Sequence, residues 1–294
     1  DKGDGTSVSD GQVLLTTDHN GQYFFDTTAN RLVIDLDGNG LIQATDMIIN
    51  MTGETGFSSA DMIVDVTDGN DVDTITTGGG ADIIRLLDTS TDVDTVTAGA
   101  GNDTIFALQT TLNTAADIID GGANTDTLSI GTTGTVAAFA GDVNLLNVEN
   151  VTFTTDSMVM NLNNQTEALN VTTANGTNGV TFGGTAANKF TGGTGADTLT
   201  LTQAALAAAG TSTGGTGANV LALDAASIAI VDADFADMSL FQTLTLTGAS
   251  TAVLATNAAA TGIANVTLGG GNTDITSANA IAVNAAALTG QTLA

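Results

Sequence analysis

The chain has 294 residues, of which 4 are basic and 32 acidic, for a formal net charge of −28. Nucleic acid and anionic membrane surfaces both need positive charge, so they make poor partners. Cysteine is absent, which excludes disulfides and thiolate metal sites, and no apolar run approaches the ~18 residues of a membrane span.

The acid is 29 Asp and only 3 Glu (Glu54, Glu149 and Glu167), and 21 of the Asp fall within residues 1–126. Acidity serving solubility alone would use Glu freely. Asp is the shorter side chain that fits tight turns and calcium loops. Proline is absent, which suits an uninterrupted β-ladder. The chain opens at Asp1 without Met, an apolar leader or a basic flank, and reads as a fragment or a processed piece.

Residues 1–55 read as a small N-terminal β segment. Val13–Leu15 and Tyr23–Phe25 flank an Asp18-His19-Asn20-Gly21 turn, a hairpin signal. Further on, Arg31–Ile34 and Met47–Met51 bracket a segment with the spacing of an EF-hand-type calcium loop. Asp35, Asp37 and Asn39 offer side-chain oxygens, Leu41 its carbonyl, Gln43 a direct or water-mediated contact, and Asp46 closes the loop. Gly40 permits the sharp turn and Ile42 anchors it. Asp at the twelfth position, in place of the usual bidentate Glu, lowers the expected affinity. The β-branched flanks predict strand–loop–strand and not two helices.

Residues 56–130 carry Asp73, Asp82, Asp94, Asp103, Asp117 and Asp126, at steps of 9, 12, 9, 14 and 9. Each short step crosses a glycine turn: Gly78 and Gly80 before Asp82, Gly99 and Gly101 before Asp103, Gly121 before Asp126. The long steps cross polar loops, two of them acidic, with Asp68, Asn70 and Asp71 in one and Asp88 and Asp92 in the other. A short β-branched or apolar run follows each of these Asp. Strand, glycine turn, strand and acidic loop in alternation predict a flattened coil with two strands per turn. Carboxylates stacked along its edges repel unless cations lie between them, which predicts several bound calcium ions.

Residues 131–294 lose charge and become rich in Thr, Ala, Gly and Asn, yet short strands recur around Val171, Val180–Phe182, Phe190, Leu199–Leu201, Val266–Leu268, Ile275 and Ile281–Val283. This part reads as a continuation of the same solenoid. A short helix is predicted over Gln203–Ala209, before Gly210. Residues 98–155 recur as 191–248, at an offset of 93 from Gly121 onward, and a stacked architecture follows from such a repeat. The fold class is therefore all-β: a parallel β-solenoid or β-roll, preceded by the N-terminal hairpin segment.

The glycine turns share the form G-G-x-G-x-D-x-U-x, clearest in Gly192-Gly193-Thr194-Gly195-Ala196-Asp197-Thr198-Leu199-Thr200. Glycine allows positive φ and exposes carbonyls, Asp sends a carboxylate between adjacent turns, and U packs inward. These residues resemble the RTX family, the hemolysin-type calcium-binding repeats of bacterial type I secreted proteins. The Thr/Ala/Gly/Asn texture is similar to RTX-type bacterial surface-layer proteins. The resemblance implies a calcium-dependent extracellular solenoid, exported unfolded and assembled with copies of itself into a lattice or filament, with cell-surface polysaccharide as a further partner.

Other readings stay open: a calcium-stiffened segment of a large RTX adhesin, a secreted enzyme's calcium domain, or a threonine-faced ice or mineral binder. In the last, Thr74/Thr76, Thr95/Thr97 and Thr198/Thr200 would share one flat face. Catalysis is not expected. His19 is the only histidine, Glu149 and Glu167 stand isolated in sequence, with Glu149 at an edge or outward position of a strand Val148–Phe153, and the absence of Trp leaves no sugar-binding platform.

Overall fold

A computed structural model describes residues 13–15, 22–26, 31–35 and 47–50 of the N-terminal region. Beyond these it describes 63–66, 74–86, 93–113, 117–136, 139, 142–224, 228–248, 250–269, 273–277 and 282–284. The chain forms two compact units, Asp1–Ser59 and Ala60–Ala294.

In the first unit, β1 (Val13–Leu15), β2 (Gln22–Asp26), β3 (Arg31–Asp35) and β4 (Met47–Asn50) make an antiparallel sheet in sequence order. Val13 pairs with Phe25 and Leu15 with Tyr23, the register of the expected hairpin. Ile34 pairs with Met47, so strands flank the calcium-loop motif on both sides. Of that motif, Asp35 is the last residue of β3, while Asp37, Asn39, Leu41, Gln43 and Asp46 lie outside the described residues.

The second unit is a parallel coil. It begins with β5 (Ile63–Val66), β6 (Thr74–Gly79), β7 (Ile83–Leu86), β8 (Thr95–Ala100) and β9 (Thr104–Leu108). The next strands are β10 (Ile118–Asp120), β11 (Thr127–Gly131), β12 (Gly134–Val136), β13 (Leu145–Leu146), β14 (Asn150–Phe153) and β15 (Met158–Leu162). They are followed by β16 (Asn170–Thr172), β17 (Gly179–Phe182), β18 (Lys189–Thr191), β19 (Thr198–Leu201), helix α1 (Gln203–Ala208), β20 (Ser212–Thr213) and β21 (Val220–Leu223). The last are β22 (Ile228–Ile230), β23 (Met238–Ser239), β24 (Thr243–Leu246), β25 (Ser250–Leu254), helix α2 (Thr256–Thr261), β26 (Asn265–Leu268), β27 (Thr273–Ser277) and β28 (Ala282–Asn284).

These strands stack into four sheets, in the orders β13-β10-β8-β6, β23-β20-β18-β16-β14-β11-β9-β7-β5, β12-β15-β17-β19-β21-β24-β26-β28 and β22-β25-β27. The early turns alternate between the first two sheets, two strands per turn as the spacing predicts. From β10 onward several turns add a third strand, because the chain bends again after β11 and after β21. One sequence expectation is corrected here. Thr74/Thr76 and Thr95/Thr97 register on each other in the four-stranded sheet, but Thr198/Thr200 belong to the eight-stranded sheet, so the three pairs do not share a face.

Parallel stacking places every second residue inward, where it meets its equivalent one turn on. Ile84, Ile105, Leu128, Val151, Val171 and Phe190 form one such row, in register from strand to strand and buried. Met160, Val180, Leu199, Leu221, Leu244 and Val266 form another. The expected helix is present as α1, its N-terminus capped by Thr202, whose hydroxyl accepts the Ala205 N–H at 3.1 Å. Among the described residues no helix is long and apolar enough to cross a membrane.

Candidate metal centres

A parallel coil must satisfy the backbone N–H that precedes each strand, at the corner where the ladder has not yet begun. Here a side-chain oxygen from the next turn does so. The Asp82 N–H donates to Asp103 Oδ1 at 2.7 Å, and the Asp103 N–H to Asp126 Oδ1 at 2.7 Å. The Asp126 N–H donates to Glu149 Oε2, also at 2.7 Å. Four carboxylates thus stand in one row across four turns. Asp82, Asp103 and Asp126 are buried and Glu149 is half-buried.

A second acidic corner lies across the coil, where the Asp94 N–H donates to Asp117 Oδ1 at 3.1 Å with both residues buried. Asp68, Asn70, Asp71, Asp73, Asp88 and Asp92, the remaining predicted ligands of this region, lie outside the described residues.

The glycine turns let these carboxylates approach. Gly80 N–H donates to the Ala100 carbonyl at 2.6 Å, Gly101 N–H to that of Ala123 at 3.0 Å, and Ala123 N–H to that of Gly99 at 2.7 Å. At Gly101, φ is +149° and a Cβ would stand 1.6 Å from the Gly80 carbonyl oxygen; at Gly99 it would stand 1.9 Å from that of Gly78. Only glycine permits the stacked backbones to come so near. Gly99 and Gly101 thus stack on Gly78 and Gly80 in the turns before Asp103 and Asp82, and a Cβ on Gly121 would stand 2.8 Å from Asp126 Oδ2.

The same construction recurs in the less charged half. Asn178 N–H donates to Asp197 Oδ1 at 2.9 Å, Asp197 N–H to Asn219 Oδ1 at 2.9 Å, and Asn219 N–H to Gln242 Oε1 at 2.7 Å. Met158 N–H extends the row to Asn178 Oδ1 at 3.2 Å. Gly192 and Gly195 form the turn before Asp197. The 93-residue repeat is therefore a repeat of corners, although its strands change sheets: β11 lies in the nine-stranded sheet and β21 in the eight-stranded one.

The two rows differ in charge, and the acids register it. Burial, with the neighbouring Asp82 adding, raises the Asp103 carboxyl above its ordinary range against the pull of its backbone hydrogen bond. Asp126 is pushed up to about 6 by burial, helped by the charges of Asp103, Glu149 and Asp120. Burial also raises Asp197, but here Asn178 opposes it through both its side-chain amide and its backbone N–H.

Asp103 Oδ2 and Asp126 Oδ2 are buried without a hydrogen-bond partner. An ionised carboxylate in that state is costly, and a cation or a proton removes the cost. The donors at hand are carboxylate and carbonyl oxygens, which suit calcium and not a thiolate- or imidazole-seeking metal. Among the described residues no three acidic or histidine side chains converge on one point. A cation in these turns therefore draws on backbone carbonyls as well as the Asp row. The donor set fits calcium, which when bound supplies the positive charge that the row lacks.

Several members of the rows escape a search for Asp. Glu149, expected at an edge or outward place in a strand Val148–Phe153, instead precedes the strand Asn150–Phe153 and caps the acidic row. Asn178, Asn219 and Gln242 take the equivalent places in the second row. The usable signal was the 93-residue offset, which sets Glu149 on Gln242 and Asp126 on Asn219.

Residues 88–109 and 182–201 match the family model described as the RTX calcium-binding nonapeptide repeat (4 copies). Neither a curated protein nor a solved structure matches the chain significantly. The two matched segments hold the turns before Asp103 and Asp197, one from each row. The chain carries RTX-type calcium-binding repeats, stacked in a parallel β-solenoid.

Proposed function

We propose that this is a non-enzymatic structural protein of the bacterial cell surface, secreted by a type I route, which folds on meeting extracellular calcium and then self-assembles into a surface layer or filament. The observation that carries this reading is the row Asp82–Asp103–Asp126–Glu149, which links four turns through carboxylates. Such a row exists only when the turns stack, so cation binding to it is folding free energy. Calcium scarce in the cytosol and abundant outside would hold the chain unfolded during export and fold it afterwards.

The outward faces support self-assembly. On the nine-stranded sheet Thr104, Thr127, Asn150 and Asn170 register in one row and Thr152, Thr172, Thr191 and Thr213 in the next. On the eight-stranded sheet Thr181, Thr200, Ala222, Thr245 and Thr267 do the same. These rows carry no acidic residue, and the nine-stranded ones continue into the cations Lys189 and Arg85, so copies meet there without the acid–acid repulsion expected at −28. Partners in this reading are further copies of the chain and cell-surface polysaccharide.

Size-exclusion chromatography with light scattering, with and without ~5 mM calcium to fill weak extracellular-type sites, tests it. Growth from an expanded monomer to ordered multimers is expected. Compaction that stops at a monomer would refute self-assembly and favour the stiff segment of a large RTX adhesin.

A further inference from the structure

Two glycine turns fall within the segments that match the nonapeptide repeat. Gly192-Gly193-Thr194-Gly195-Ala196-Asp197 keeps every glycine of the form, while Ala98-Gly99-Ala100-Gly101-Asn102-Asp103 has Ala98 in place of the first. By sequence the turn at Asp197 is therefore the better calcium site. The side chains around the two carboxylates reverse that order.

Each Asp of these rows accepts, on Oδ1, the N–H of the residue that precedes it in the row by one turn. That earlier residue also brings its own side chain to the corner. Asp82 stands before Asp103, and Asp103 before Asp126, so each adds a second carboxylate that when ionised has no proton to donate. Asn178 stands before Asp197 and gives Oδ1 two hydrogen bonds, from its N–H at 2.9 Å and from Nδ2 at 3.1 Å. Its amide is held from other sides as well, since Nδ2 donates to the Ala174 carbonyl at 2.9 Å and Oδ1 accepts the Met158 N–H at 3.2 Å.

The second oxygen of Asp197 is also met. Thr173, five residues before Asn178, donates its hydroxyl to Asp197 Oδ2 in a long bond of 3.5 Å and accepts the Gly193 N–H at 3.2 Å. The same place before Asp82 is held by Thr77, but its hydroxyl donates to the Ala98 carbonyl at 2.6 Å. Before Asp103 it is held by Ala98, which has no hydroxyl. Asp103 Oδ2 and Asp126 Oδ2 accordingly lack a hydrogen-bond partner, whereas Asp197, equally buried, receives donors on both oxygens. Charge divides the same way. Asp103 lies between Asp82 and Asp126, but Asp197 lies between Asn178 and Asn219 and offers a single negative charge. Calcium affinity follows the number of charged ligands, and an ion entering at Asp197 would displace an amide and a hydroxyl for the attraction of one carboxylate.

We infer that the turn Gly192–Asp197 takes no calcium ion: Asn178 and Thr173 give its carboxylate the hydrogen bonds that stand in for the metal, and the turn stacks without it. The most complete nonapeptide of the chain is thus a structural turn. The inference rests on the calcium-binding reading of the acidic row and sets a limit to it, by separating a carboxylate that needs a cation from one that the protein itself satisfies.

Equilibrium dialysis of the full chain against calcium tests it, with melting followed in calcium and in chelator. Asp197→Asn should bind as many ions as wild type and show the same rise in melting temperature on adding calcium. Asp103→Asn should bind fewer ions and show a smaller rise. Thr173→Ala with Asn178→Asp, which removes the hydroxyl and the amide and sets a second carboxylate beside Asp197, should bind one ion more than wild type. An ion lost in Asp197→Asn overturns the inference. An unchanged count in the double variant also overturns it, since the two donors would then not be what keeps the ion out. A wild type that binds no calcium, or an Asp103→Asn variant that keeps every ion, refutes instead the calcium reading of the acidic row, and with it the contrast on which the inference stands.

Discussion

Replacing Gly101 by Ala should be among the most damaging small changes the solenoid can suffer, while Gly79→Ala nearby should be almost silent. The added Cβ at 101 would meet the Gly80 carbonyl oxygen at 1.6 Å and the carbonyl carbon at 2.4 Å, and it would sit on a backbone with φ +149°. Two turns spaced about 4.8 Å apart would have to part by more than an ångström to admit it. Three bonds hold them together there: Gly80 N–H to the Ala100 carbonyl, Asp82 N–H to Asp103 Oδ1, and Thr104 N–H to the Asp82 carbonyl. Losing them at about 1 kcal/mol each, with a further 1–2 kcal/mol of backbone strain, gives roughly 4–5 kcal/mol. At Gly79 the nearest atom to a new Cβ is 3.9 Å away and φ is ordinary, so Ala there should change stability by less than about 1 kcal/mol, in the stabilising direction. Urea denaturation of both variants in calcium compares them directly. Equal midpoints would refute the reasoning, since they would mean that the turns are not stacked as closely as the backbone shows.

The acidic row makes stability depend on pH, with opposite signs with and without metal. The folded-state carboxyl of Asp126, at about 6, lies above its unfolded value of 3.8, so in chelator its contribution is fully present below pH 3.8 and is lost as pH rises through about 6. The loss is roughly 3 kcal/mol, read as the difference between wild type and Asp126→Asn. In calcium the proton competes with the ion and stability should rise with pH over the same window. A wild-type melting temperature in chelator that does not fall relative to the variant between pH 4 and 7 would contradict this. Phe190→Ala, which removes a fully buried ring 6.3 Å from that of Phe241, should cost about 3–5 kcal/mol. That cost should be equal in calcium and in chelator, as denaturation in both will show. Asp232 accepts the N–H groups of Ala255, Asn257 and Ala258 at the start of α2. Asp232→Ala should cost about 1–2 kcal/mol and speed amide exchange at those three residues while leaving the calcium count unchanged.

The sequence announces the solenoid because its strictest requirements fall on the residue types easiest to see. Only glycine fits where Gly99 and Gly101 stack on Gly78 and Gly80, and an oxygen-bearing side chain, most often a short Asp, takes the N–H before the next strand. Periodic glycine and Asp therefore expose the turns, and α1 shows itself by its alanines. The third strand in some turns is less visible, because a bend after Ile130 or Leu223 asks only for small polar residues, which are everywhere in this half. Spacing likewise cannot say which sheet a Thr-x-Thr pair joins, and Thr198/Thr200 landed apart from Thr74/Thr76 for that reason.

The deeper difficulty is that the corner demands an acceptor and not a charge. Asp103, Asn219, Glu149 and Gln242 all serve, and Ser212 does the same work for the Phe190 N–H at 3.0 Å. A search for carboxylates therefore finds the charged corners and passes over their neutral equivalents. Yet the contrast between the two kinds is what makes the calcium argument physical. A backbone that builds the same corner from Asp126 and from Asn219 shows that the carboxylate is not needed to form the turn. Its charge, buried at a cost that an amide avoids, then requires a reason of its own, and a bound cation supplies one.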